Sequence, residues 1–447
     1  MPDNVDMISA IRGQHLVTYY WCGKSSRMFQ FRHYLGMKSV IRALHPDAIF
    51  FLYEEYPGVD ELQYNVWLEE LKLQFPFIYF EKLKNGGACR ETAGDRREVI
   101  AGILAKRGGF YVHENTMLTP IIAELQNKRN VYAVDNTSGQ GFLMIEKGLA
   151  FGDKHNTTII CKDARHISGY FHAYCINTVE SVRPKDIWDL ETPFGELARW
   201  AAYGETSIQR PEPNYRDIAP NIAHYVWIGN GRMDFAFYLS VLSLIYVAKV
   251  DKSVSGASHR SDIWRLDLMN KYGGLYLDTD VIFVKPISNH LRAYEAVMSL
   301  SFTTFTPFPD RLQSGVMLGK RGGKFWNEFM KTMRTYRDDL WTWNVCFLPY
   351  KVKEIYPKSV LIYDRLQVCC PKAKCHPTWW PNYHNRSINH LNTNTIPDWR
   401  TEAYSYHFVG GGTPPELRNE KKARRAKTMF GEMARFVLEE AGLLNTD

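Results

Sequence analysis

Nowhere does this 447-residue chain hold the roughly 18 uninterrupted apolar residues that a membrane-crossing helix needs. Its first fourteen residues, MPDNVDMISAIRGQ, lack the apolar centre of a secretory signal. The expectation is a soluble chain, cytoplasmic if these residues are its natural start. No GxxxxGK[ST] loop, GxGxxG turn or GxSxG elbow occurs, and the Gly229-Asn230-Gly231 turn does not replace one. P-loop, dinucleotide and serine-hydrolase chemistry therefore lose their usual signals. Cys-x-x-Cys is also missing, so Cys369, Cys370, Cys375 and His376 argue weakly for structural zinc despite their proximity. The other cysteines are Cys22, Cys89, Cys161, Cys175 and Cys346, and their spacing cannot choose between thiols and disulfides.

What is present is ordinary for a folded protein: 45% hydrophobic, 23% charged and 14% aromatic residues, which excludes disorder and collagen-like order. A surplus of 55 Lys and Arg over 48 Asp and Glu gives +7, which favours anionic partners without choosing among them. The most basic run, Arg418 to Lys427, reads either as a nucleic-acid patch or as the wet face of a terminal helix. Met429, Phe430, Met433, Phe436 and Val437 follow at helical spacing and support the second reading, so no nucleic-acid partner is expected. Asn136, Asn156 and Asn385 are glycan acceptors by pattern, at a frequency near chance.

Self-similarity is the strongest internal signal. HLVTYYW at 15–21 is echoed by IAHYVW at 222–227, and RGGFYVHENTML at 107–118 by YGGLYLDTDVIF at 272–283. Each later block is a helix, a Gly-Gly stop of the kind a left-handed cap requires, an aromatic-rich strand and a polar triplet. Helices expected at Phe31 to Leu44 and Arg96 to Lys106 alternate with strands at Ala48 to Tyr53 and Phe77 to Phe80, which argues for an α/β sheet. The Pro-rich, charged stretch Ile208 to Pro220 reads as a linker. The expected division is thus a first repeat at 1–207, a linker at 208–220, a second repeat at 221–415 and a basic amphipathic helix at 416–447.

The copies differ. Matching Gly108-Gly109 to Gly273-Gly274 sets Asp278 opposite His113 and Asp280 opposite Asn115, so only the second copy has a carboxylate pair. Trp21 lies 87 residues before Gly108, but Trp227 lies 46 before Gly273, a shortfall of 41. The loss is expected to remove the counterparts of both the AIFFLY and FIYF strands. Asp-x-Asp after a buried strand puts two carboxylates at the sheet's carboxyl edge, where α/β ligands collect. Mg²⁺ or Mn²⁺ held there would neutralise a departing diphosphate. Alone, the triplet fits a solvated loop or a helix cap as well.

The surroundings of that triplet resemble a known family. His224-Tyr225-Val226-Trp227-Ile228-Gly229 opens the copy. Ser261-Asp262-Ile263-Trp264-Arg265 starts a helix, and Gly273-Gly274-Leu275-Tyr276-Leu277-Asp278-Thr279-Asp280 ends the block. This order is similar to the DXD-containing sugar-region glycosyltransferases grouped as glycosyltransferase family 32. Ser314-Gly315-Val316-Met317 is similar to their N-G-V-M, with Ser for Asn, and Asn344 to Tyr356 with Val360 to Arg365 fits their closing strand region. The resemblance covers roughly 220–370. It implies tandem GT-A-like (Rossmann-like) nucleotide-diphospho-sugar transferase domains, the second shortened. The implied activity moves a hexose or N-acetylhexosamine from a UDP- or GDP-linked donor to a glycan or glycolipid acceptor, with retention.

By the same resemblance, Asp280 binds Mn²⁺ (or Mg²⁺) with the donor diphosphate, and Asp278 faces the metal or the ribose. Asp262 and Arg265 approach ribose and phosphates, and Trp227 and Gly229 lie beside the base. His407, in Tyr404-Ser405-Tyr406-His407-Phe408, is similar to a late His that completes the metal shell in related enzymes, although a lone His can equally be packed core. The plainer alternatives are a helix pair of Arg265 with Asp262 and a core position for Trp227. Gly410-Gly411-Gly412 reads as a loop over the site or a linker. The family also implies the Golgi lumen. Against an active enzyme stands a pseudoenzyme that binds sugars or a partner glycosyltransferase. The Asp pair favours activity and the short second copy the alternative. Arg97 where Asp262 should be marks the first copy as degenerate.

Overall fold

The computed structural model describes residues 15–58, 66–83, 93–120, 182–227, 233–250, 252–257, 261–301, 311–337, 339, 342–369, 399–408 and 413–444, with short strands between 131 and 173. The chain divides into two compact units, Met1–Ile208 and Gln209–Asp447. Both are mixed α/β.

In the first unit the chain runs β1 (Leu16–Trp21), α1 (Phe31–Leu44), β2 (Ala48–Tyr53), α2 (Val66–Gln74), β3 (Ile78–Lys82), α3 (Ala93–Arg107), β4 (Gly109–His113), β5 (Val131–Asp135), β6 (Gly141–Ile145) and β7 (Thr157–Ile159). A hairpin of β8 (His166–Ser168) and β9 (Phe171–Ala173) and the helices α4 (Pro184–Trp188) and α5 (Pro193–Tyr203) follow. The sheet order is β3-β2-β1-β4-β6-β5-β7. Parallel strands β1, β2 and β4 are buried on both faces, which is why they read as unbroken apolar runs rather than alternation. Trp21, Phe29, Phe51 and Tyr19 pack ring on ring beneath α1. Thr192 caps α5 by accepting from the Gly195 N–H, with Pro193 in the first turn. Cys22, just past β1, is disulfide-bonded.

In the second unit β10 (Ile222–Trp227), α6 (Phe235–Leu242), β11 (Lys252–Ala257), α7 (Ser261–Lys271), β12 (Gly274–Leu277) and β13 (Val281–Phe283) come first. Next are α8 (Asn289–Arg292), β14 (Ala296–Leu300), β15 (Leu312–Gly319), α9 (Lys324–Thr332), α10 (Leu348–Ile355) and β16 (Leu361–Ile362). The last elements are β17 (Val368–Cys369), α11 (Trp399–Glu402), β18 (Ser405–His407), α12 (Glu420–Arg425) and α13 (Met429–Glu440). The main sheet runs β11-β10-β12-β15-β14-β16, and a second one β13-β18-β17.

The two main sheets share an order. Strands β2-β1-β4-β6-β5-β7 and β11-β10-β12-β15-β14-β16 match position by position, including which neighbours are parallel and which antiparallel. The glycine pairs match as well. Gly109 (φ 98°) and Gly274 (φ 93°) lie in the left-handed region, and a Cβ on them would sit 2.2 Å from the Leu16 carbonyl oxygen and 2.5 Å from that of Ile222. Each second glycine thus lets the central strand start against the first residue of its parallel neighbour, a contact no side chain permits.

Four expectations need correction. The second unit keeps one of the two strands expected to be lost: Lys252–Ala257 pairs with β10 in the register that Ala48–Tyr53 uses on β1. KSVSGA was illegible as a strand because, as the last strand in its sheet, it lacks the apolar run of a central strand. Among the described residues the second sheet has no counterpart of the outer strand β3. Asn344 to Tyr356, expected in a strand region, is helical: a π-helical turn at Trp343–Phe347 runs into α10, whose buried stretch carries Pro349 in its first turn. The terminal helix at 416–447 is two helices, α12 and α13, broken at Ala426. The basic run lies on the exposed, charged α12, where Arg424 pairs with Glu420, while Met429, Phe430, Met433 and Val437 of α13 enter a core with Leu239, Ile282 and Tyr406. Residues 209–220 belong to the second unit, where Ala219 is buried and its N–H donates to the Arg292 carbonyl.

Candidate metal and donor site

Strand β12 is buried along its whole length and ends at Leu277, so the turn Asp278-Thr279-Asp280 emerges at the carboxyl edge of the parallel strands β10 and β12. The chain then enters β13, which pairs antiparallel with β18 in the register Val281↔His407. The Phe408 N–H donates to the Asp280 carbonyl at 3.1 Å, locking β18 beside the turn. This register is what carries a histidine from far along the chain to the acidic pair.

The His407 Nε2 lies 2.9 Å from Asp280 Oδ1 and 3.7 Å from Asp278 Oδ2. One donor atom from each of Asp278, Asp280 and His407 falls within 4.8 Å of the other two, the spacing a cation would need. His407 is buried and both aspartates are partly exposed, so the cluster opens on its carboxylate side. Burial works to raise the Asp280 pKa, but the adjacent His407 outweighs it and holds the carboxyl below its ordinary value. Two carboxylate oxygens and an imidazole nitrogen form a donor set that suits Mn²⁺ and, less well, Mg²⁺, which prefers oxygen alone.

Beneath the cluster lies Arg265, buried on α7. Its guanidinium pairs with Asp262 at 3.0 Å, one helical turn back, and with Asp278 Oδ1 at 3.3 Å, and it stacks over the Tyr276 ring at 4.8 Å. Burial opposes its charge, yet Asp278, Tyr276 and Asp262 together raise its pKa above the usual value. The simple helix pair with Asp262 exists, and Arg265 extends it to the acidic turn. The Tyr276 hydroxyl donates to the same Asp278 oxygen at 2.7 Å, leaving Oδ2 toward His407. Burial, opposed by Arg265 and aided by Asp278, raises the Asp262 pKa. Three carboxylates face one guanidinium here, a net charge of −2 when His407 is neutral.

Strand β15 forms the floor. The Asp278 N–H donates to the Gly315 carbonyl at 2.8 Å, and Arg265 Nη1 donates to the Ser314 carbonyl at 3.1 Å. A Cβ on Gly315 would sit 2.2 Å from His407 Cε1 and 2.3 Å from its Nδ1, so only glycine leaves room for the ring.

Of the residues expected at the site, the structure brings Asp278, Asp280, His407, Asp262 and Arg265 together. Trp227 is the last residue of β10, but its side chain lies outside the described residues, as do Gly229, Gly410 to Gly412, Cys370, Cys375, His376 and the glycan acceptors Asn136, Asn156 and Asn385. Tyr276, Gly315 and Gln313 were missed. Tyr276 was legible, since residues i and i+2 of a strand share a face. Gly315 stands in the Ser314-Gly315-Val316-Met317 segment noted above, but its role, like that of Gln313, depends on where β18 lands.

Residues 212–298 match the family described as "Glycosyltransferase sugar-binding region containing DXD motif". Over 155 residues the chain is 22% identical to glucan organizing enzyme 1 of Cryptococcus neoformans var. grubii. That stretch is 34% of this chain and 39% of the relative, so the match spans about two fifths of the curated protein. Among solved structures, the galactosyltransferase LgtC with donor and acceptor sugar analogs aligns at TM-score 0.30 and 14% identity, over 51% of this chain and 97% of that one. The PaToxG glycosyltransferase aligns at TM-score 0.25 and 11% identity, over 31% and 68%. The part of the second unit from 212 to 298, which contains Asp262, Arg265 and the acidic pair, is thus similar to a glycosyltransferase DXD region.

Proposed function

We propose, from a DXD glycosyltransferase region in the second unit, that the chain transfers a sugar from a nucleotide-diphosphate donor to a glycan or glycolipid hydroxyl in a metal-dependent reaction of the GT-A type. The observation that carries the reading is the charge of the site: three carboxylates around one buried arginine, two of them converging with a histidine on a space that suits one cation. A divalent ion bound by Asp278, Asp280 and His407 would cancel that charge and supply Lewis-acid stabilisation to the departing diphosphate. The chain's residues do the rest. Arg265 and Tyr276 hold Asp278 in place, and the Asp280 carboxyl stays ionised at neutral pH under the influence of His407. The acceptor oxygen bonds to the anomeric carbon as that carbon's bond to the diphosphate oxygen breaks; the diphosphate leaves with the electron pair, and the hydroxyl proton passes to it or to water. The resemblance implies retention at that carbon, Mn²⁺ as the ion and UDP or GDP in the donor. Two of the three site carboxylates also face Arg265, so a Mn²⁺ with imidazole affinity fits the remaining donors better than Mg²⁺.

The first unit is read as a second copy of the same fold without the donor chemistry, supported by the shared strand order and glycine contacts. A pseudoenzyme that only binds sugars or a partner glycosyltransferase is the rival reading, favoured by the 41-residue shortfall before the second glycine pair. The disulfide at Cys22 supports an oxidising compartment such as the Golgi lumen. Among the described residues no helix is long and apolar enough to cross a membrane.

Calorimetric titration of UDP, and separately GDP, with and without Mn²⁺ tests the proposal. Metal-dependent binding of one nucleotide, lost at least tenfold in Asp280→Asn, is the expected outcome. Absence of binding by both nucleotides would hand the chain to the rival reading.

A further inference from the structure

Gln313 stands two residues before Gly315 on β15, on the same face of the strand, and both meet the His407 ring. Its amide nitrogen is 3.4 Å from His407 Nδ1, and its amide oxygen accepts from the buried Cys346 thiol at 3.6 Å. Gln367 Nε2 donates to the Gln313 backbone carbonyl at 3.1 Å and steadies the strand there. All three side chains are buried.

With the amide turned this way, a neutral ring must accept at Nδ1 and carry its proton on Nε2, which lies 2.9 Å from Asp280 Oδ1. A neutral imidazole has one proton, and a nitrogen that binds metal must be the one without it. Binding a cation through Nε2 therefore moves the proton to Nδ1, which becomes a donor facing an amide NH₂. Two donors cannot share that contact. Turning the Gln313 amide over resolves the conflict without changing its shape: the oxygen then accepts from Nδ1–H and the NH₂ faces Cys346. A thiol is both weak donor and weak acceptor, so Cys346 accommodates either orientation.

We infer that Gln313 is a positioning residue that fixes the tautomer of His407, its amide facing one way in the metal-free protein and the other when a cation occupies Asp278, Asp280 and His407. The inference rests on the reading that these three residues hold a divalent ion. It makes Gln313 the partner of the ring nitrogen that does not touch metal, a role whose loss typically lowers metal affinity 10–100-fold.

Mn²⁺ binding is to be measured calorimetrically on the full chain, without nucleotide, for wild type, Gln313→Leu, Gln313→Glu and His407→Ala. Gln313→Leu, similar in size but unable to accept, should weaken Mn²⁺ about 10-fold or more. Gln313→Glu offers Nδ1–H a fixed acceptor and should bind at least as tightly as wild type. Loss in His407→Ala with no change in Gln313→Leu overturns the inference while leaving the ligand reading intact. No change in His407→Ala either overturns both. Should Gln313→Leu fail to fold, the ¹⁵N shifts of the His407 ring in wild type decide. With Mg²⁺ added, the proton should pass from Nε2 to Nδ1, and an Nδ1 that remains unprotonated overturns the inference.

Discussion

Each unit opens its central strand on the same plan, a glycine pair followed by a tyrosine two residues on, Tyr111 in the first and Tyr276 in the second, and at the strand's far end the two part. In the first unit the turn is His113-Glu114-Asn115. Glu114 is buried against Arg27 at 2.6 Å, receives the Cys22 N–H at 3.3 Å, and Arg27 lies over the Trp21 ring at 4.6 Å. The exposed Asn115 donates its N–H to His113 Nδ1 at 3.1 Å. The acid of this turn is matched by the arginine it pairs with, and Arg32 adds further positive charge nearby. In the second unit Arg265 is shared between Asp262 and Asp278, and Asp280 is left to His407. The lesson is that a carboxylate at a sheet edge is available to a cation when the local cations fall short of the local anions, and is a structural group when it is paired.

The largest expected effect tests that contrast. Arg265→Met strips the counter-charge from two carboxylates, Asp262 and Asp278, in a largely buried setting and should cost about 3–5 kcal/mol in denaturant unfolding of the second unit. Arg27→Met leaves the buried Glu114 without its partner, but Arg27 is about a third exposed, so water moderates the loss to about 1–3 kcal/mol. The Arg27 variant should keep Mn²⁺-dependent nucleotide binding. Loss of that binding in Arg27→Met would break the comparison, because it would put donor chemistry at the first edge too.

A smaller effect separates the units by pH. Each has one buried lysine whose pKa falls to about 8: Lys38, lowered by burial and then by Arg42, and Lys353, lowered by burial. An unfolded lysine stays protonated to about 10.4, so between pH 8 and about 10 the unfolded state binds more protons and stability rises with pH. Below pH 8 the full cost of burying the charge is carried. Lys38 bonds the Gln74 side chain at 3.1 Å and lies over the Phe75 ring, whereas Lys353 donates to the Pro357 and Val360 carbonyls. Lys38→Met should therefore stabilise the first unit at pH 7 by about 2 kcal/mol and flatten its pH dependence above 8. Lys353→Met should gain less, because two carbonyls lose their donor. Unfolding followed by hydrogen exchange in each unit from pH 7 to 10 reads both, and equal gains would mean the carbonyls contribute nothing.

How much of this could be read beforehand follows the physics of each element. Strands buried on both faces, such as Ala48–Tyr53 and Gly274–Leu277, announce themselves as apolar runs, and the glycine pairs announce a left-handed turn. Helix Phe31–Leu44 was legible to the residue from its apolar spacing. The strand at Lys252–Ala257 was not, since it pairs along one side only and its sequence carries little apolar signal. At the site, the acidic pair, Asp262, Arg265 and His407 could be named from a motif. Gln313 and Gly315 gain their meaning from the register Val281↔His407, a long-range pairing that no local pattern encodes.

The smallest effect concerns the helix before each glycine pair. Helix α7 is fixed by Arg265 to the acidic turn, whereas its counterpart α3 carries Gly102 on an exposed face, where an added Cβ would meet nothing within 4 Å. Glycine inside a helix costs about 0.5–1 kcal/mol relative to alanine, mainly through the freedom it gives the unfolded chain. If α3 serves only as scaffold, Gly102→Ala should stabilise the first unit by about that amount and leave Mn²⁺ and nucleotide binding as they were. Urea unfolding monitored in the first unit gives the sign directly. A loss of stability would mean that the face is covered, and the first unit's helix would then be held by contacts as specific as those that Arg265 makes in the second.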